Sequence, residues 1–229
     1  MFINSYQDFL LQYRRYIEII DSLKNGYRDF SADDLPVVDN VTYTMMQSIG
    51  ISLDLLTNPN SARKHIGNRF EEFIKLLFSE LAITNKKIVL KIPYESGTYS
   101  CETDVVISPY QTVKSDSMNI DPAETVIGVK TSSKDRMGKI FIDKLLMEKF
   151  VDHELNVLAI FLNDVQRKEN EKVSFTFVSG LFRVYSKFLT TLTGVYFIDI
   201  PAIAKKEPYN HYVFPFSQLI TKDIWKIVS

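Results

Sequence analysis

The chain has one cysteine, three histidines and almost no net charge, and each shortage excludes something. With Cys101 alone, no disulfide framework can form, which suits a reducing cytosol. His65 and His153 do not form a metal-ligand spacing, and with one cysteine a zinc site is not expected. The 27 basic and 28 acidic residues give a formal charge of −1, so there is no global pull toward nucleic acid. Any binding of DNA must come from a local basic surface. No uncharged apolar run reaches the ~18 residues that cross a bilayer, and the first residues lack a basic-then-apolar leader pattern. These features predict a soluble, cytoplasmic protein without a membrane partner. No repeat or low-complexity tract is present.

What is there is enough apolar material for a full core: 45% of 229 residues, which excludes a disordered chain. Residues 1–60 read as helical, with Phe9, Leu10, Tyr13, Tyr16, Ile17, Ile20 and Leu23 at helical spacing and a second periodic run from Met45 to Leu56. Leu35-Pro36 and Asn58-Pro59-Asn60 punctuate them. Ser61 is the expected cap of a helix reaching about Leu81. Strands are expected over Lys87–Ile92, Cys101–Ser108 and Thr125–Thr131, with a polar loop from Gln111 to Pro122. A helix from Met137 to Val151 follows, then strands over Asn156–Leu162 and Ser174–Val178. A helix over Phe182–Leu192 and a strand over Val195–Ile200 complete the pattern. Helices alternating with short Val- and Ile-rich strands argue an α/β layer structure around a mixed sheet.

Two charged residues interrupt apolar strands. Lys130 ends the run Val126, Ile127, Gly128, Val129, where an ammonium needs charged partners or must snorkel outward. Asp104 interrupts the segment from Thr103 to Ser108; alone it could be a solvent-facing residue of an edge strand. Together, an acid and a lysine on neighbouring strands are equipment for metal-assisted phosphodiester chemistry. Lys130, Lys134, Arg136, Lys139, Lys144 and Lys149 also gather six bases in twenty residues.

This pattern resembles the PD-(D/E)xK nuclease superfamily, whose core places an Asp on one strand and a Glu-x-Lys on the next. Thr103 stands where that pattern has Pro, and Gly128 stands where it has the second acid. Glu124 shares the strand face of Lys130 but lies roughly 20 Å away, too far to share a metal. The segment is similar to the CCGG/CCNGG-recognising restriction endonucleases of the EcoRII, SsoII and NgoMIV type. In that group the second acid moves to the following helix. Asp143 lies thirteen residues after Lys130, and a glycine at 128 would leave room for its carboxylate. Glu148 is the rival acid, with pairing to Lys144 as its other reading. The group also carries a base-reading triplet, here Lys134-Asp135-Arg136. Arg can bond bidentately to guanine and Asp can accept from cytosine, while a charged helix cap is the bland alternative. A glutamate on an upstream helix falls on Glu71, which is nearer the apolar face than Glu72; a solvated helix acid is the alternative. The polar segment Asn163–Arg167 reads as a plain loop, with base or phosphate contacts as the other reading.

The resemblance spans about residues 61–165. It implies a restriction-endonuclease-like core at 61–200, a central mixed sheet flanked by helices, with a helical N-terminal subregion at 1–60 in a single domain. It implies a type II enzyme cutting double-stranded DNA at a short palindromic GG/CC-containing site. Mg²⁺ would be held by Asp104, Asp143, Glu71 and the carbonyl of Val129, with Lys130 catalytic beside them. A homodimer and a cognate DNA methyltransferase as genetic neighbour are expected with it. A structure-selective or repair nuclease on the same core, and a catalytically decayed DNA-binding protein, are the alternatives.

Overall fold

The computed structural model describes residues 1–56, 58–133, 136–167, 173–175, 177 and 179–229. Three helices open the chain: α1 (Tyr6–Lys24), α2 (Asp34–Leu56) and α3 (Pro59–Glu80). Ser5 caps α1 by accepting the Asp8 N–H. Pro36 falls within the first turn of α2, where its missing donor costs nothing, so α2 begins well before Met45. The cap of α3 is Asn58 rather than Ser61: the Asn58 side chain accepts the Ser61 N–H at 2.9 Å, and Pro59 takes the first helical position.

Among the described residues ten strands follow in three sheets: β1 (Thr84–Lys86), β2 (Val89–Tyr94), β3 (Gly97–Glu102), β4 (Val105–Ser108), β5 (Thr125–Ser132), β6 (Asn156–Asn163), β7 (Val165–Arg167), β8 (Val173–Phe175), β9 (Gly194–Phe197) and β10 (Val213–Pro215). Helix α4 (Arg136–Val151) joins β5 to β6, and α5 (Ser179–Phe188) precedes β9. The main sheet runs β1-β4-β5-β6-β9-β10. Its β1–β4–β5 side is antiparallel and its β5–β6–β9–β10 side parallel, so the sheet is mixed. Strands β2 and β3 form a separate hairpin. A continuous helical segment from Phe216 to Ile227 closes the chain. No described helix is long and apolar enough to cross a membrane.

The expected single strand Cys101–Ser108 is two. It breaks at Thr103 and Asp104, because Thr103 binds the backbone of Ile88, accepting its N–H and donating to its carbonyl, both at 3.0 Å. Alternation along the central strands divides the core in two. Ile127, Val129, Leu158 and Ile160 pack with α1, α2, α3 and the C-terminal helical segment. Val126, Val157, Ala159 and Phe161 pack on the other face with α4, α5 and the hairpin. Buried Asp39 of α2 ties the first layer to the C-terminus, accepting the N–H and the hydroxyl of Ser217, both at 2.7 Å.

Candidate active site

The antiparallel register sets Val105 opposite Ile127, so Asp104 stands where the β4–β5 ladder stops. Its carboxylate takes the place of a ladder acceptor and receives the Val129 N–H at 2.7 Å. The carbonyl of Val129 projects to the same side, since N–H and C=O of one extended residue point together. The same Asp104 oxygen accepts Lys130 Nζ at 2.5 Å. Glu71 reaches the lysine from α3 at 3.6 Å. Burial pushes the Glu71 carboxyl above its usual range, and the Asp104 charge adds to this, with Lys130 and Lys87 pulling the other way. The buried-side lysine of β5 therefore does have charged partners, from two separate elements.

Asp143 lies on α4 and lines the same depression, about 410 Å³, as Glu71, Asp104 and Lys130. Lys139, one turn earlier, grips it at 2.7 and 2.6 Å. Burial works against the Lys139 charge, yet its bond to Asp143 holds the ammonium above its ordinary value. Lys87 and Glu102 complete the rim as an ion pair at 2.7 Å. Sequence reasoning did not single out these two for the site. Their pairing depends on the β2–β3 hairpin, which sets Val89 against Glu102 and brings Lys87 to the pocket. Tyr99 on the same hairpin also lines it. Among the described residues four carboxylates thus share one hollow with three ammoniums.

The donor set suits a hard divalent cation, because every candidate ligand is an oxygen. Among the described residues no three His, Cys, Asp or Glu side chains stand together as a metal cluster. That is compatible with magnesium, which typically takes one or two protein carboxylates and completes its shell with water and substrate phosphate.

Gly128 has a different reason from the one expected. A Cβ there would meet Ile140 of α4 at 2.9 Å, so the glycine makes room for an isoleucine, and the Asp143 carboxylate does not fill that space. Glu148 is turned away from the hollow. It pairs with Lys144 at 2.8 Å and accepts the Leu155 N–H at 2.9 Å. Fully buried Glu124 holds the 111–122 loop, accepting the N–H groups of Lys114 and Ser115 at 2.7 and 3.0 Å. Arg136 is exposed at the first residue of α4. Lys134 and Asp135 lie outside the described residues. Asn163 accepts the Val165 N–H at 3.1 Å, an ordinary turn contact. A larger apolar cavity of about 720 Å³ between α5 and the β9–β10 edge has no carboxylate in its lining.

No protein-family model matches the chain, and no curated protein sequence does. Among solved structures, the fold is similar to that of a Type IIP restriction endonuclease, Kpn2I. The TM-score is 0.72 at 20% identity, over 99% of this chain and 74% of that one. It is also similar to restriction endonuclease PspGI, solved as a complex with substrate DNA. There the TM-score is 0.53 at 12% identity, over 95% of this chain and 92% of that one. The chain has the restriction-endonuclease-like α/β fold.

Proposed function

We propose that this protein is a type II restriction endonuclease that cuts double-stranded DNA at a short palindromic site containing GG/CC, in the manner of the CCGG/CCNGG group. The observation that carries the reading is the Asp104–Lys130 pair, with Glu71 and Asp143 in the same hollow. The fold shared with two restriction endonucleases, one of them solved on its DNA, supports it.

Asp104 and Asp143 would hold Mg²⁺ together with the carbonyl of Val129. When bound, the cation would lower the pKa of its water and offset charge on the scissile phosphate. Lys130 would orient the attacking water and donate to the phosphate oxygens as their charge grows. Its bond to Asp104 fixes that ammonium at the end of β5 before substrate arrives. Glu71 would steady Lys130 from α3. Lys139 would leave Asp143 when a cation or a DNA backbone competes for either partner. Arg136 would read guanine in the major groove, with Asp135 accepting from the paired cytosine and Lys134 beside them. A palindromic site calls for a two-fold homodimer, one active site per strand.

Plasmid digestion with and without Mg²⁺ tests this directly. Discrete Mg²⁺-dependent bands are expected. A smear would favour a nonspecific or structure-selective nuclease, and specific binding without cutting would favour a decayed enzyme that retains only recognition.

A further inference from the structure

Resting on the endonuclease reading above, we infer that Lys87 holds the DNA phosphate next to the one that is cut, and that Glu102 occupies this lysine until DNA arrives. The strands put Lys87 there. Lys86 pairs with Val106 and Val89 with Glu102, so Lys87 and Ile88 face three residues, Thr103, Asp104 and Val105. Thr103 donates its N–H to the Ile88 carbonyl at 2.9 Å, which matches those two. The surplus residue makes a bulge, and Lys87 is left opposite Asp104 and Val105. Neighbouring strands lie roughly 5 Å apart, so the bulge sets an acid and a lysine side by side. Both line the hollow.

The ligand follows from the charge around this lysine. Its hydrogen bond to Glu102 holds the Lys87 ammonium above its ordinary value against burial, and the Glu71 and Asp104 charges add to this. Lys87 is therefore a permanent positive charge. Among the described residues the four acids and three lysines of the hollow sum to −1, so an entering phosphate gains by taking an ammonium from an acid. Lys130 and Lys139 are bonded to Asp104 and Asp143, the acids assigned above to the cation. Glu102 has no such assignment. Its side chain is 60% exposed and that of Lys87 42%, and an ion pair this open is weak in water. A phosphate oxygen accepting from the same ammonium replaces Glu102 with little loss. A lysine, as a point charge on a flexible stem, suits the DNA backbone and carries no base information.

Fluorescence anisotropy of the full chain on a labelled duplex containing CCGG, in Ca²⁺ and over a range of salt, tests this. Lys87→Gln should weaken binding about tenfold and lower the slope of log affinity against log salt by about one. Lys87→Arg should restore both, since either cation binds phosphate. Glu102→Gln should tighten binding by freeing the lysine. Lys87→Gln combined with Glu102→Gln has the wild-type charge and should still bind more weakly than the wild type. Lys86→Gln, the same charge change one residue away and outside the hollow, should leave the slope unchanged. Each variant should keep its Tm, because the pair is open to solvent. With the cut mapped, a neutral methylphosphonate beside it should weaken the wild type and add no loss to Lys87→Gln. A wild-type slope for Lys87→Gln, a double variant restored to wild-type affinity, or additive methylphosphonate losses overturn the proposal. So does weaker binding by Glu102→Gln, which would make the bridge a fastening of the hairpin. Plasmid digestion judges the endonuclease reading separately. Discrete cutting with normal binding by Lys87→Gln sinks the proposal alone. Binding that depends on Lys87 in a chain that never cuts keeps the phosphate contact and sinks the reading, and a chain that binds no duplex sinks both.

Discussion

Helix α4 carries two lysine–acid pairs at the same spacing, Lys139 with Asp143 and Lys144 with Glu148. In isolation each would be worth only a few tenths of a kcal/mol. Their surroundings separate them. Lys144 is 8% exposed and Glu148 also binds the backbone of Leu155, so this pair fastens the end of α4 to the start of β6. Lys139 is 51% exposed and its acid faces a hollow already holding Asp104 and Lys130. One pair is sealed, whereas the other is open to the hollow, where under the proposed function a cation or a phosphate would compete for its partners. Spacing proposes an ion pair; burial decides whether it is closed off or open to exchange.

The largest expected effect lies in the hollow both pairs border or avoid. Asp104→Ala or Lys130→Ala should reduce Mg²⁺-dependent cutting by at least ~10²–10³-fold while leaving DNA binding in Ca²⁺ nearly intact. Near wild-type cutting by either variant, measured by plasmid cleavage, would remove them from the chemistry. The comparison itself is broken or sharpened by one crossed pair of substitutions. Asp143→Asn should stop cleavage with little change in Tm, and Asp143→Glu should retain activity. Glu148→Gln should cut at a normal rate per folded molecule yet lose about 2–3 kcal/mol of stability, because Lys144 keeps its charge in a buried place without a counter-charge. A dead Glu148→Gln alongside an active Asp143→Asn would exchange the roles of the two pairs. Arg136→Ala should cost about 1–3 kcal/mol of discrimination at one base pair, read by competition binding; uniform loss over all sequences would make it a phosphate contact.

The last prediction concerns an acid with no lysine bonded to it, and is read as a slope with pH rather than as a loss of activity. Burial pushes Asp39 up to about 7, despite the two Ser217 donors that favour its charged form. Its folded-state value lies above its unfolded one, so its contribution to stability is complete below pH ~4 and is lost as the pH rises toward 7. Asp39→Asn should flatten the Tm profile over that window. A profile of unchanged slope would show that Asp39 titrates normally.

Much of this architecture was legible from apolar spacing alone. Helices α3 and α4 have apolar periods that match their buried faces, and strands β5 and β6 are near-continuous apolar runs at the centre of the sheet. Only the end of strand β3 fell within the expected strand from Cys101, because most of its residues are exposed and leave no alternation to read. Strand β1 is a short polar piece recognised only by its pairing with β4. The cap of α3 moved three residues because Asn58 and Ser61 are both good caps, and Pro59 settles which one starts the helix. In the candidate site, Asp104 and Lys130 stood out as charges among apolar residues. Lys87 and Glu102 did not, since their approach depends on a hairpin and neither breaks an apolar run.

Ile140 lies where a side chain at position 128 would have to go. Gly128→Glu would push a side chain into the end of Ile140, so a larger residue on the strand calls for the isoleucine to shift or shorten, while Ile140→Ala alone would leave a void under α4. The two positions are therefore coupled: what α4 can place at 140 depends on what β5 carries at 128, and a change at either is read correctly only together with the other.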